Sequence, residues 1–170
     1  SAPAISQSSS GDTIVAGRTA AGCVYLNRYK PETRAWDPAW TLAGCSLDGD
    51  PAVAAEPGGG AWVAARDSSY RYWINRYVPG TGFGVWTNLA GDFATDPVIA
   101  RANNGAVYIV GLTGTGRIVS GRYLPAGGFQ GWIPDPSAPA AAGKPAITIG
   151  ADGAAYVSVR SQVNNIWMAR

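Results

Sequence analysis

The 170-residue chain is 46% hydrophobic, carries a formal net charge of +2 and has no histidine. No run approaches the ~18 consecutive apolar residues of a membrane helix, and the 11 arginines are scattered rather than massed as nucleic-acid binding requires. Without histidine the commonest general base and metal ligand are missing. With 23 Gly, 12 Pro and 18 aromatic residues against 2 Lys and 2 Glu, strands and turns are favoured over helices, and an all-β fold is expected.

Pro3-Ala4-Ile5 opens a first repeat, 3–50. Its strand around Val24 to Arg28 is expected to turn near Glu32 to Arg34 and return through Trp40 to Gly44. That brings Cys23 and Cys45, 22 residues apart, to matching heights on neighbouring antiparallel strands, where a disulfide is expected. The spacing is too long for a C-x-x-C redox or zinc site, and two thiols do not fill a zinc shell. Such a bridge contributes ~3 kcal/mol in the chain-entropy model and implies an oxidising compartment. The start, Ser1-Ala2-Pro3-Ala4, is neither basic nor followed by an apolar run, so a mature secreted product, or a piece of one, is expected.

The second repeat, 51–96, shows the pattern most clearly. A short strand over 51–56 starts at Pro51, where no ladder donor is lost. The turn Pro57-Gly58-Gly59-Gly60 leads to a strand over 61–66, the polar turn 67–70 to a third strand over 71–76, and the turn 79–82 to a fourth over 83–89. The third repeat, 97–144, follows the same plan but reaches Pro134, Pro136 and Pro139, so its last strand is expected to be short and at an edge. A partial fourth copy occupies 145–170. Prolines 3, 51, 97 and 145 recur at steps of 48, 46 and 48, and Arg28, Arg76, Arg122 and Arg170 repeat the same steps. A strand-built repeat of this length predicts a β-propeller of four-stranded antiparallel blades, one domain over 1–170 with about three and a half blades. The ring is expected to be completed by a second copy of the chain or by a second half-propeller chain, with a monomeric four-bladed ring containing one thin blade as the third option.

Two columns of arginine follow from the register. Arg28, Arg76, Arg122 and Arg170 close third strands, while Arg18, Arg66 and Arg160 close second strands, with Leu112 in the third copy. Alternating strand direction puts the two columns on opposite rims. Trp62, Tyr108 and Tyr156, with Ile14, form an aromatic column beside Val15, Val63, Ile109 and Val157, suited to fill the wedge between blades.

The fourth-strand motif reads Trp40-Thr-Leu42-Ala-Gly44 and Trp86-Thr-Asn-Leu89-Ala-Gly91, followed by Pro and a glycine turn into an aromatic strand. It resembles the blades of bacterial PLL-type and tachylectin-like propeller lectins over nearly the whole chain. The third repeat departs from it, since neither the leucine nor the glycine follows Trp132. The resemblance implies a secreted glycan-binding lectin with pockets repeated around the ring. Trp40, Trp86 and Trp132 are candidates to stack on a sugar face, with packing between blades as the competing role. Trp73 and Trp167, with Tyr25 in the first copy, sit where a groove between blades opens. Arg28, Arg76 and Arg122 are candidate hydroxyl or carboxylate ligands; pairing of the arginine columns with linker aspartates such as Asp50 or Asp96 is the alternative.

No cofactor or metal is expected: Asp48-Gly49-Asp50 lacks the remaining ligands of a calcium loop. Catalysis is not expected either. Glu32 and Glu56 are the only glutamates, no acid recurs in one column away from the linkers, the sialidase Ser-x-Asp-x-Gly-x-Thr-Trp box is absent, and serine catalysis lacks its histidine. The alternative function is a structural or protein-docking module of a larger secreted protein.

Overall fold

A computed structural model describes residues 1–170. The chain forms four antiparallel sheets and no helix. The first sheet contains β1 (Ala4–Gln7), β2 (Thr13–Arg18), β3 (Val24–Lys30), β4 (Ala35–Trp36) and β5 (Thr41–Gly44). The second contains β6 (Ala52–Ala55), β7 (Ala61–Arg66), β8 (Tyr72–Val78), β9 (Gly82–Phe83) and β10 (Thr87–Ala90). The third contains β11 (Val98–Arg101), β12 (Val107–Leu112), β13 (Ile118–Leu124) and β14 (Gly128–Pro134), and the fourth β15 (Ala146–Ile149), β16 (Ala155–Arg160) and β17 (Ile166–Ala169). Each is a meander, and each corresponds to one sequence repeat.

In the first two sheets the fourth strand is split, and both pieces pair with the third strand. The cause is an asparagine on that third strand. Buried Asn75 donates its amide to the carbonyl of Gly84, and Asn27 donates to that of Asp37, each occupying the gap where the strand leaves the ladder. The same repeat position in the third sheet is Gly121, which has no amide to hold a gap open. There β14 runs unbroken for seven residues, so the expected short last strand is corrected to a long one, although it does lie at the sheet edge with Pro134 at its end. Asn27 and Asn75 are therefore framework residues.

The sheets pack face to face in chain order. Ile14, Ala16, Val24 and Leu26 of the first meet Val53, Ala55, Ala61, Val63 and Ala65 of the second. The opposite face of the second sheet, Ala54, Trp62, Ala64, Tyr72 and Ile74, meets Ile99, Val107, Ile109 and Val119 of the third. Covered on both sides, β6 is buried at all four positions, and the polar alternation of a one-sided strand is lost. Val110, Leu112, Ile118 and Val159 join the third and fourth sheets.

First strands lie innermost: β1 beside β6, β6 beside β11 and β11 beside β15. Together with Pro3, Pro51, Pro97 and Pro145 they line an open pocket of about 310 Å³. Strand alternation then defines two rims. The linkers and the loops between second and third strands share one, and the remaining hairpin turns share the other. Cys23 and Cys45 are bonded, one step beyond the paired residues Val24 and Gly44.

Candidate functional site

Three of the four arginines that close third strands on the hairpin rim are held by carboxylates. Arg28 donates from Nε to Asp12 at 2.8 Å, and its guanidinium lies against the backbone of Gly59 in the second sheet. Arg76 donates to Glu56 at 2.9 Å and Arg101 reaches the same carboxylate at 3.2 Å, while Trp62 donates its indole N–H to Glu56 at 2.9 Å. Burial raises the Asp12 carboxyl, but hydrogen bonds from Ser10 and Arg28 and the guanidinium charge more than offset it, leaving its pKa lowered. Arg170 pairs with Asp152, and Arg122 stays exposed without an acidic partner. On the linker rim Arg66 meets Asp96 at 3.4 Å and the carbonyl of Phe93 at 3.1 Å.

Between the first and second sheets, on the linker rim, opens a cleft of about 340 Å³. Trp73 and Trp86 line it from the second sheet; Cys45, Ser46 and Leu47 line it from the first, and the loop carrying Asp67, Ser68, Ser69 and Arg71 completes it. Both indoles are anchored through their N–H groups. Trp73 donates to Asp67 at 2.8 Å, and Trp86 donates to the carbonyl of Ala43 at 2.7 Å across the seam. Gly44 permits this approach, because a Cβ there would lie 2.5 Å from the Trp86 indole nitrogen. With the donors consumed, the rings are fixed and offer their apolar surfaces.

Asp67 organises the floor. Its carboxylate accepts the backbone N–H groups of Ser69 and Arg71 at 2.9 and 3.0 Å, the Arg71 Nε–H at 2.9 Å and the Trp73 indole. Burial pushes this carboxyl up, but the Trp73, Arg71 and Ser69 hydrogen bonds outweigh it and hold its pKa below the ordinary carboxylate value. The acceptor sites of Asp67 are filled, and its charge is cancelled by Arg71, whose Nη2 lies 2.8 Å away. Arg71 also approaches the Trp73 ring, 5.8 Å from its centroid. Half-exposed, it keeps N–H groups free for a ligand, beside the hydroxyls of Ser46, Ser68 and Ser69.

The structure thus brings together two of the eight candidate binding residues, Trp73 and Trp86. Arg28 and Arg76 lie at the other ends of their strands. Trp132 is wedged among Tyr72, Phe93 and Phe129 and donates to the carbonyl of Leu89 at 2.7 Å. Trp167 packs in the seam between the third and fourth sheets. Trp40 is half-exposed on the outer face of the first sheet, beside Arg18, Thr19 and Tyr25. Asp67, Arg71, Ser68 and Ser69 are not singled out by the sequence reading, which treats 67–70 as a polar turn. The available signal was that no other repeat has an acid there: the matching residues are Thr19, Thr113 and Ser161.

No protein-family model and no curated protein sequence matches the chain. Among solved structures it is similar to Hadza microbial sialidase Hz136, with a TM-score of 0.65 and 13% identity over 99% of this chain and 44% of that one. It is also similar to AofleA from Arthrobotrys oligospora, with a TM-score of 0.62 and 12% identity over 99% and 52%. A GH43 endo-arabinanase from Bacillus licheniformis follows at 0.53 and 13% over 98% and 71%. The chain therefore spans about half the length of the first two, and its sheets follow the blade architecture of β-propeller proteins. One expectation is corrected by these neighbours. A sialidase and an arabinanase carry this fold, so catalysis is not set aside for the chain.

Proposed function

We propose that the chain is part of a secreted β-propeller that binds glycans in the cleft between its first and second sheets. The observation that carries this reading is the convergence of Trp73 and Trp86, both fixed through their N–H groups, on the free hydrogen-bonding groups of Arg71 and three serines. A sugar ring needs an apolar platform for its C–H face and fixed donors and acceptors for its hydroxyls; a cleft of this size accepts one or two rings. The fourth-strand motif, which resembles that of PLL-type and tachylectin-like lectins, supports the same reading. The disulfide supports an oxidising, extracellular setting. The four sheets are read as blades of that propeller.

Cleavage of a glycosidic bond is the second reading, favoured by the sialidase and arabinanase among the neighbours. One experiment separates the two. The chain is screened on a glycan array while release of reducing sugar is measured from arabinan and from sialylated glycans. Retention without release supports binding alone, and release supports the second reading. Trp73→Ala and Arg71→Ala should each weaken retention at least tenfold while leaving the strand signal in circular dichroism unchanged. Retention that survives both places recognition outside this cleft.

A further inference from the structure

The loop between β7 and β8, residues 67–71, walls the cleft on one flank and carries a second aromatic on the other. Side chains alternate across the two strands, so Ala65, Asp67 and Trp73 lie toward the first sheet, while Ala64, Arg66 and Tyr72 lie toward the third. Tyr70 belongs to this second flank. Its ring is 52% exposed, with the Arg66 guanidinium 5.2 Å from the centroid. The loop thus separates two sets of the same residue types, Trp73 with Arg71 and Asp67 on one side and Tyr70 with Arg66 and Asp96 on the other.

Tyr70 occupies a place that the repeat otherwise gives to residues at ease with positive φ. The matching residues are Gly22, Gly116 and Asn164, at φ of 75°, 77° and 63°. In the first three copies the carbonyl at this position accepts a linker N–H, from Leu47, Phe93 and Ala141, so the fold repeats the conformation whatever the side chain. Tyr70 takes φ of 63° all the same, which is costly for a bulky residue. Holding Arg66 does not require it. That arginine is already fixed by Asp96 and the Phe93 carbonyl, and the matching Arg18 has only Gly22 beside it. Backbone strain that packing does not need is kept where the side chain has work at the surface.

We propose that Tyr70 is a second stacking platform, and that the glycan held in the cleft is a chain of about three or more units running from Trp73 over Ser68 and Ser69 to Tyr70. This rests on the cleft being a glycan site. The cleft takes the first one or two rings, the two exposed serines offer hydroxyls along the crossing, and the next ring lies on Tyr70. Asp67 holds the loop by accepting the N–H groups of Ser69 and Arg71, so both platforms are set before the chain arrives. Each arginine is matched by an aspartate, which leaves the loop without net charge and suits it to a neutral chain.

The test is an array of neutral mono- to pentasaccharides from the glucan, xylan and arabinan series, read with the unaltered chain, Tyr70→Gly and Tyr70→Phe. Retention should rise about tenfold between one unit and three and then level off. Tyr70→Gly should lose that rise while keeping monosaccharide retention, and Tyr70→Phe should keep both. The unfolding midpoint of Tyr70→Gly should be unchanged or higher, because glycine fits the turn. Retention that ignores chain length, or a rise that survives Tyr70→Gly, overturns the inference and leaves the cleft standing as a glycan site. A lowered midpoint in Tyr70→Gly gives the tyrosine a structural role and overturns it too. If no sugar is retained at any length, the cleft reading fails and takes this inference with it.

Discussion

The seam between the first and second sheets and the seam between the second and third share one plan yet place their large side chains differently. In the first, the position after the fourth strand is Leu47, opposite Trp73 and Trp86, and the rim stays open as a cleft. In the second, the matching residue is Phe93, which stacks on Tyr72 with ring centroids 3.7 Å apart and meets Trp132 edge-on at 4.7 Å. Gly111 leaves room for that stack, since a Cβ there would lie 2.5 Å from the Tyr72 hydroxyl. Opposite it the position that matches Trp73 is Val119, which adds no second wall. One repeat spends its aromatic volume on a wall and the next on a plug, which is how a repeated fold keeps a site in one place and closes it in another.

Removing the plug gives the largest expected effect. Phe93→Ala deletes a fully buried ring, and a cost of about 3–5 kcal/mol is expected, read as a lower denaturant midpoint. The variant should also gain a hollow beside Trp132, the counterpart of the cleft in the first seam. Breaking the disulfide comes next: Cys23→Ala with Cys45→Ala should lower stability by about 3 kcal/mol and loosen the wall at Ser46 and Leu47, so glycan retention falls as well.

Asp67→Asn ranks third. It leaves Arg71 without its counter-charge and removes an acceptor from Trp73, and about 1–3 kcal/mol is expected, together with a change in tryptophan fluorescence that Asp152→Asn on the exposed fourth sheet does not produce. The same carboxylate sets a pH dependence. Its folded pKa lies below the unfolded value, so its stabilisation is present above about pH 4 and is lost as pH falls through the folded value. Acid titration of the Trp73 environment should therefore show a transition below that pH, absent in Asp67→Asn. Smallest is Ser69→Ala, which removes one hydroxyl at an exposed position; stability should change by no more than about 0.5 kcal/mol, while any loss of retention marks a direct ligand contact.

The repeat was readable in the chain because proline, glycine and arginine recur at fixed steps, and each marks a backbone event: strand start, turn, strand end. The disulfide was readable for the same reason, once Cys23 and Cys45 fell at paired heights. The split of the fourth strand was hidden, since it depends on Asn27 and Asn75 reaching carbonyls ten and nine residues further on, which no spacing marks. The cleft was half visible. Trp73 and Trp86 stand out as aromatics, but what makes them a platform is the saturation of Asp67 and the cross-seam bond to Ala43, and neither leaves a mark in spacing. The arginine columns misdirect attention for a physical reason: Arg28 and Arg76 are spaced like ligands because their carboxylate partners Asp12 and Glu56 sit in repeated turns.

The bond between Cys23 and Cys45 lies in the one terminal sheet that has both pieces of its fourth strand, and the other terminal sheet has three strands and no covalent tie. An array whose neighbours hold one another loosens from its ends. Here the first and fourth sheets are unequal, so local opening should be easier at β17 than at β3. Amide hydrogen exchange would record the difference, with β16 and β17 exchanging first and β3, clasped beside the cystine, among the late strands.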